Sequence, residues 1–425
     1  MNCTSRPLWK KFVFWLTAGL ILAQAASTYL QERHVQPPPD YRTFVPPKAG
    51  GSYRDPMFGT SIKRISDATK TPDVAGGRSQ LAFIVNEYST MSPFNQDGSR
   101  LLLLHLSYFA LYDGEGNFIE NLPFEISSSS EPRWSRKNPS ILFYVSENQL
   151  KQFDVASRKA SVVHTFKEYR SVRGHGESDI CFDGDHLVLA GDGRFVFVYE
   201  ISTDRKGPVF DTGGREFDSL YITPDDHVTI TWVHPGRSRY QGIELFDREM
   251  NFLHQVTRAG GHMDVTRDID GGEVLVWANA GDPKPICKNG VVKVRLADGQ
   301  QTCLLSLDWS LALHVSAPDR AGWVLVGTYT SGDPRHDGVW DKYANEILQI
   351  GLDGSGVKQV AHHRSRPFNS YWWSPRASVS RDGSKLIYSS DYGLQSILGY
   401  PSEYVDAYLI ASGLLRAASG EEPVR

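Results

Sequence analysis

Side chains that could do chemistry recur at one kind of place in this chain, just ahead of a polar turn that opens an apolar strand. Glu131, Arg133 and Trp134 stand at one such place, and His175 with Glu177 at the next. Asp218, then His262 with Asp264, then His314 follow, and Tyr371, Trp373 and Arg376 stand at the last. Arginine offers a two-pronged contact to a carboxylate, aromatic rings stack on sugar or other rings, and histidine or an acid moves protons or holds a metal. The spacing of His262 and Asp264 suggests a base with an orienting acid. The same positions also admit a plainer role, a blade-start His or Asp that hydrogen-bonds the backbone of a neighbouring repeat. In YWW (Tyr371–Trp373), strand alternation lets only one of the two tryptophans face a shared channel.

Other chemistries are poorly served. Ser178 in RGHGESD lacks the Gly-x-Ser-x-Gly elbow of a serine hydrolase, and no phosphate loop, His-Glu-x-x-His helix or Cys-x-x-Cys pair occurs. His362-His363, in AHHRSRPFNSY, reads as a positioning pair. A net charge of -4 gives no general attraction to nucleic acid.

What positions these residues is a repeat. A polar turn, an apolar strand, a gap and a second strand recur at Ser92–Asp113, Pro132–Val155, Ser178–Ile201, Asp218–Asp247, Asp264–Gly299, His314–Gly354 and Pro375–Ser412. With 12% aromatics, 38 Gly and 23 Pro in 425 residues, the chain reads as short strands joined by turns. Copies of about 40 to 60 residues fit the blades of a propeller, so the expected fold is an all-β, seven-bladed β-propeller. The recurrence fits two tandem sandwiches less well. Each repeat is read as an inner strand after its turn, a middle strand and an outer one. FGTSIKRISD (Phe58–Asp67) is expected to pair with the last blade and close the ring, removing an open edge.

Arg6, Lys10 and Lys11 precede the apolar run Phe12–Ala23, and Ala23-Gln24-Ala25 offers a cleavage site. Residues 1–26 are therefore expected to be a signal peptide, with an uncleaved anchor as the alternative that would bring a membrane in as partner. Residues 27–57 read as a linker, 58–412 as the propeller and 413–425 as a tail, and the mature protein is expected to be periplasmic or secreted. Under oxidising conditions Cys287 and Cys303, which bracket a strand and turn, could form a local disulfide, leaving Cys181 as a buried thiol.

Three stretches, GHMDVTRDIDGGEVLV (Gly261–Val276), LHVSAPDRAGWVLVGTY (Leu313–Tyr329) and SPRASVSRDGSKLIYSSD (Ser374–Asp391), resemble the last three blades of the oligogalacturonate lyase family. General repeat features are also similar to those of the periplasmic propeller of the Tol system. The resemblance implies β-elimination across a uronic acid in an oligosaccharide or polysaccharide, aided by a divalent metal such as Mn or Ca. His262 matches a metal-ligand histidine of that family, and His314 stands where relatives also carry one. Where the family has Gln-x-x-His-Pro-His-Pro, this chain has Tyr371, Ser374 and Arg376, and the family's catalytic histidine falls close to Asp218. One reading makes Arg376 the carboxylate's partner in place of the metal, with His262 or His314 as base. The alternative function is a non-catalytic propeller that binds a glycan or a protein at the same mouth.

Overall fold

The computed structural model describes residues 34–35, 37–38, 40–236, 238–307, 312–319, 322–330, 340–366 and 371–411. The segments expected as signal peptide and tail lie outside them. Among the described residues no helix is long and apolar enough to cross a membrane.

Seven antiparallel sheets of four or five strands form the blades. Local chemistry sets the hairpins. At Asp97-Gly98 the Asp97 carboxylate accepts the Ser99 N–H (2.9 Å) while Gly98 takes φ +66°, a conformation that suits glycine. Asp382-Gly383 repeats the device, with Ser384 N–H on Asp382 (3.0 Å) and φ +73°. Strands leaving these turns carry apolar side chains on both faces, as in Leu101–Leu104, because each blade is covered on both sides by its neighbours. Val274, Val276 and Val291 of blade 5 pack against Val324, Val326 and Leu348 of blade 6 in this way.

The channel edge of each sheet differs from the sequence expectation. The innermost strand is the one ahead of the turn, two residues long in four blades and five or six in the others: Ile84–Val85, Arg133–Trp134, Val172–Arg173, Phe217–Ile222, Met263–Arg267, Ala312–Ser316 and Ser378–Val379. Arg136, just after blade 2's first strand, reaches Asp319 of blade 6 (2.6 Å), and Arg381 of blade 7 reaches Asp179 of blade 3 (2.9 Å). Blades that are not neighbours can touch only across the axis. The strand after the turn is second from the axis.

Blade 7 is built from both ends of the described chain. Ser61–Arg64 pairs antiparallel with Asp406–Ala411, and Ser52–Arg54 adds outside it. Arg64 grips Asp406 through Nε (3.0 Å) and Nη2 (2.7 Å), and Ser66 Oγ and Ala68 N–H fill the second carboxylate oxygen. Every lone pair of this buried ion pair is thus used, the condition under which such a pair is tolerated. Packing begins inside the stretch read as linker. Tyr41 is buried under the Arg366 guanidinium, and the buried Asp55 carboxylate accepts the His362 N–H (2.9 Å) and faces its Nδ1 (3.2 Å).

Beside that pair, Glu346 is fully buried, with one oxygen on Gln359 (2.9 Å) and the other without a hydrogen bond, 3.9 Å from His362 Nε2. Burial pushes its pKa up to about 8. A carboxyl whose folded pKa exceeds its unfolded one costs stability as pH rises from about 4.5 through about 8. Glu346→Gln is therefore expected to leave stability unchanged at pH 4 and to raise it by roughly 2–4 kcal/mol at pH 9, read by urea unfolding.

Cys287 and Cys303 form a disulfide across a sequence separation of 16 residues. A loop of that size is worth roughly 3 kcal/mol, so Cys287→Ser with Cys303→Ser should lower the unfolding midpoint, as should reductant acting on the parent chain. Cys181 is buried and unpaired, its thiol donating to Asp226 (2.6 Å). Burial and that carboxylate push its pKa up, which makes it unreactive.

Candidate functional site

The two ends of the channel differ. Beyond the inner strands, Arg381 binds both oxygens of Asp179 (2.9 and 2.9 Å), Arg136 binds Asp319, and Asp264 accepts the N–H groups of Val265 (2.8 Å) and Ala317 (2.7 Å). The space left among them is about 30 Å³, room for about one water. This layer is a satisfied polar plug.

Ahead of the inner strands lies the other mouth, crossed by Asn86–Thr90 after the first inner strand. Asn86 pins this segment, donating to the Arg376 carbonyl (2.6 Å) and accepting from Ser389 Oγ (2.9 Å), while Thr90 Oγ1 donates to the Glu177 carbonyl (2.8 Å). The crossing places Tyr88 between blades 5, 6 and 7 on one side and blade 3 on the other. Its ring stands edge-on to His262 (6.4 Å) and His314 (5.3 Å). The two imidazoles stack on each other, with centroids 4.4 Å apart and planes at 15°, and Tyr329 stacks on the far face of His314 at 5.1 Å.

His262 Nδ1 donates to the Leu313 carbonyl (2.5 Å), which fixes the tautomer and leaves the Nε2 lone pair free on an exposed ring. His314 is fully buried, with Nδ1 unpartnered. Burial, then the neighbouring His262 and Arg376, hold its pKa well below the ordinary value, so this ring is neutral. Arg376 is the most unusual group. Its side chain is buried, its φ is +38°, Nη1 donates to the Glu87 carbonyl (3.2 Å), and the Tyr371 phenol is a looser hydrogen-bonding partner of the guanidinium. Among the described residues, Nε and Nη2 find no hydrogen-bond acceptor of ordinary geometry. Tyr371 and Trp372 cover the guanidinium at 5.1 and 4.9 Å. Burial lowers its pKa, and the phenols of Tyr371, Tyr88 and Tyr329 around it offset part of that. Leaving two charged N–H groups unpaired in such a place is costly, and an anionic ligand would supply the missing acceptors.

No protein-family model matches the sequence, and no curated protein matches it. Among solved structures, an oligogalacturonate lyase in complex with manganese superposes with a TM-score of 0.57 at 14% identity, over 86% of this chain and 96% of that one. The oligogalacturonate lyase of Vibrio parahaemolyticus gives 0.58 at 12%, over 85% and 96%. The fold resembles that of the oligogalacturonate lyases.

The donors at the mouth do not suit a divalent ion of the kind named with that lyase. Imidazole binds a metal through an in-plane lone pair at about 2.1 Å. Two stacked, nearly parallel rings cannot aim both lone pairs at one point, and Arg376 adds a positive charge beside them.

Burial separates the other expected site residues. Arg133 spends four of its five donors on Ser178 O (2.6 Å), Gly176 O (3.0 Å), Pro132 O (2.9 Å) and the Glu87 carboxylate (3.1 Å), so it braces the mouth and keeps no two-pronged edge for a ligand. Trp134 is buried with its Nε1–H on Pro93 O (2.9 Å), and Trp373 is fully buried in the same cluster; both are core residues unavailable to a ligand. Trp372 lies over Arg376 instead, stacked on Phe83. Asp264 does not orient His262: its carboxylate is used by backbone N–H groups and burial pushes its pKa up, while a carbonyl orients the histidine. Tyr371 is 60% exposed at the rim. His175 packs against Phe217 near the exposed Asp218. His362 and His363 are structural, the latter bonded to Thr328 O (2.8 Å).

Sequence reasoning missed Glu87, Tyr88 and Tyr329. The first two precede the first repeat's turn, as Glu131 precedes the second, and reading that repeat from Ser92 left them out.

Proposed function

We propose that the mouth binds a uronate-containing oligosaccharide or polysaccharide outside the cytoplasm and cleaves it by β-elimination. The observation that carries this reading is the buried Arg376 guanidinium with Nε and Nη2 unpartnered, beside a histidine whose Nε2 is free. The lyase-like fold and the disulfide, which suits an oxidising compartment, support it. In this mechanism Arg376 takes the uronate carboxylate, which makes the C5 proton more acidic. His262 Nε2 removes that proton, the C4–O bond breaks as the C4=C5 double bond forms, and the leaving oxygen is protonated by the Tyr88 hydroxyl. Burial and Glu177 push the Tyr88 pKa up, so the phenol holds its proton until the leaving group takes it.

Uronate oligosaccharides are screened for new ultraviolet absorbance from the unsaturated product, with and without chelator. The expected result is a signal that survives chelation. Binding without any absorbance change would instead favour a non-catalytic glycan-binding propeller.

A further inference from the structure

At the end of the ring away from the mouth, the turn that opens the second strand of blade 3 gathers donors of three chemical kinds. CFDGDH (Cys181–His186) supplies a thiol, a carboxylate and an imidazole, and Asp226 reaches in from the matching turn of blade 4. Cys181 Sγ stands 2.6 Å from Asp226 Oδ1, and His186 Nδ1 stands 2.7 Å from Asp183 Oδ2 and 3.3 Å from that same Asp226 oxygen. One ligand atom each of Cys181, Asp183 and Asp226 lies within 4.8 Å of the other two. Cys181 and His186 are buried, while Asp183 is exposed and opens the cluster to solvent.

Blade 4 shows the same place built as a plain hydrogen-bonded clip. Thr223 stands where Cys181 does, since the N–H of each donates to the carbonyl of the histidine that closes the turn, His227 (2.8 Å) and His186 (3.0 Å) respectively. Thr223 Oγ1 and His227 Nδ1 (2.7 Å) share the Glu273 carboxylate, and the remaining acid, Asp225, is paired with Arg267 (2.5 Å). Blade 3 departs from this clip twice. A thiol replaces the hydroxyl, and the extra carboxylate, Asp183, turns onto the histidine, with no arginine or lysine paired to it among the described residues.

We propose that Cys181, Asp183, His186 and Asp226 bind Zn²⁺ and so clamp blade 3 to blade 4. Zinc takes four donors at about 2.0–2.3 Å in a tetrahedron, whose edges are then about 3.3–3.8 Å. Separations of 2.6, 2.7 and 3.3 Å need to widen by only about 1 Å to admit the ion. A thiolate beside an imidazole selects zinc over calcium or manganese, which prefer oxygen donors. On binding, the Cys181 proton leaves to solvent, driven out by the charge of the ion, and His186 presents the Nδ1 lone pair with its own proton on Nε2. The ring also lines a space of about 20 Å³ beside Glu200 and Glu249, room for one water as the second hydrogen-bond partner that a zinc-bound histidine takes. A thiolate and two carboxylates around Zn²⁺ leave one negative charge, and Arg248 stands 3.9 Å from Asp226 Oδ2 to offset it.

Co²⁺ is the first probe, because its bond to a thiolate gives a charge-transfer band in the near ultraviolet that neither the protein nor aqueous Co²⁺ shows. The full chain carries Cys3→Ser and keeps the Cys287–Cys303 disulfide oxidised, so that Cys181 is its one thiol. The expected result is a band that saturates at one equivalent of Co²⁺ and is bleached by Zn²⁺, with a melting temperature that rises with Zn²⁺ and falls back with chelator. Cys181→Ser should abolish the band. Asp183→Asn, at the surface and outside the core, should weaken Zn²⁺ by about 10-fold or more while leaving the metal-free melting temperature unchanged. No band from the folded parent, a band that persists in Cys181→Ser, or equal Zn²⁺ affinity in the parent and Asp183→Asn overturns the zinc site. None of these outcomes bears on the uronate reading of the mouth, which shares no residue with this turn.

Discussion

Arg376→Met is expected to abolish most turnover of a uronate substrate while leaving the fold as stable as the parent, or more so. Loss of a preorganised partner for a charge that grows in the transition state costs about 10²–10³-fold in rate, and the same range is expected here in kcat/KM. Arg376→Lys should rescue little of it, because an ammonium at that place cannot present the two-pronged edge that Nε and Nη2 offer. The stability half of the prediction follows from the cost the residue imposes. A buried guanidinium with two N–H groups lacking acceptors is an unfavourable element whose charge methionine, of similar length, removes, while the φ +38° backbone stays as it is. Thermal unfolding and steady-state kinetics on the same preparation test both halves. A large fall in melting temperature with unchanged kcat/KM would mean that Arg376 only supports the Asn86–Thr90 crossing.

The blade architecture could be read in the sequence because its signals are local. Asp97-Gly98 and Asp382-Gly383 set hairpins by their own side chains and backbone freedom, and a recurring turn followed by an apolar run needs no knowledge of distant residues. The innermost strands were not legible for the opposite reason. Arg133–Trp134 and Ser378–Val379 are two residues long, too short to carry a period, and the ring of neighbouring blades holds them in place. The pairing of Cys287 with Cys303 was within reach, since a single strand and turn separates them.

At the site, His262, His314 and Arg376 could be located by counting back from each turn, because the propeller brings those positions to one mouth. What each side chain does there could not. Asp264 follows His262 by two residues and looks like its orienting partner, yet the Ala317 N–H of the next blade claims its carboxylate. Arg133 looks like a ligand-binding arginine until Glu87 and three carbonyls occupy it. In both cases the partner comes from another blade, and sequence spacing carries no trace of it.

His262→Ala is the second substitution with a large expected effect, and it separates the base from its neighbour. A positioned general base contributes about 10²–10⁴-fold, so kcat should fall by roughly 10³ with KM changed little, since the ring makes no contact with the uronate carboxylate in the mechanism above. His314→Phe should cost far less, within about 10-fold. Its role is to stack between His262 and Tyr329, a flat ring can keep that packing, and its own imidazole is neutral, buried and without a partner at Nδ1. Added imidazole should restore part of the rate to His262→Ala, because removing the side chain opens the space beside Tyr88 while the Leu313 carbonyl remains to orient the guest ring. If His314→Phe proves the more damaging of the two and imidazole does not rescue His262→Ala, the proton is taken by His314, and the exposed His262 is its cover.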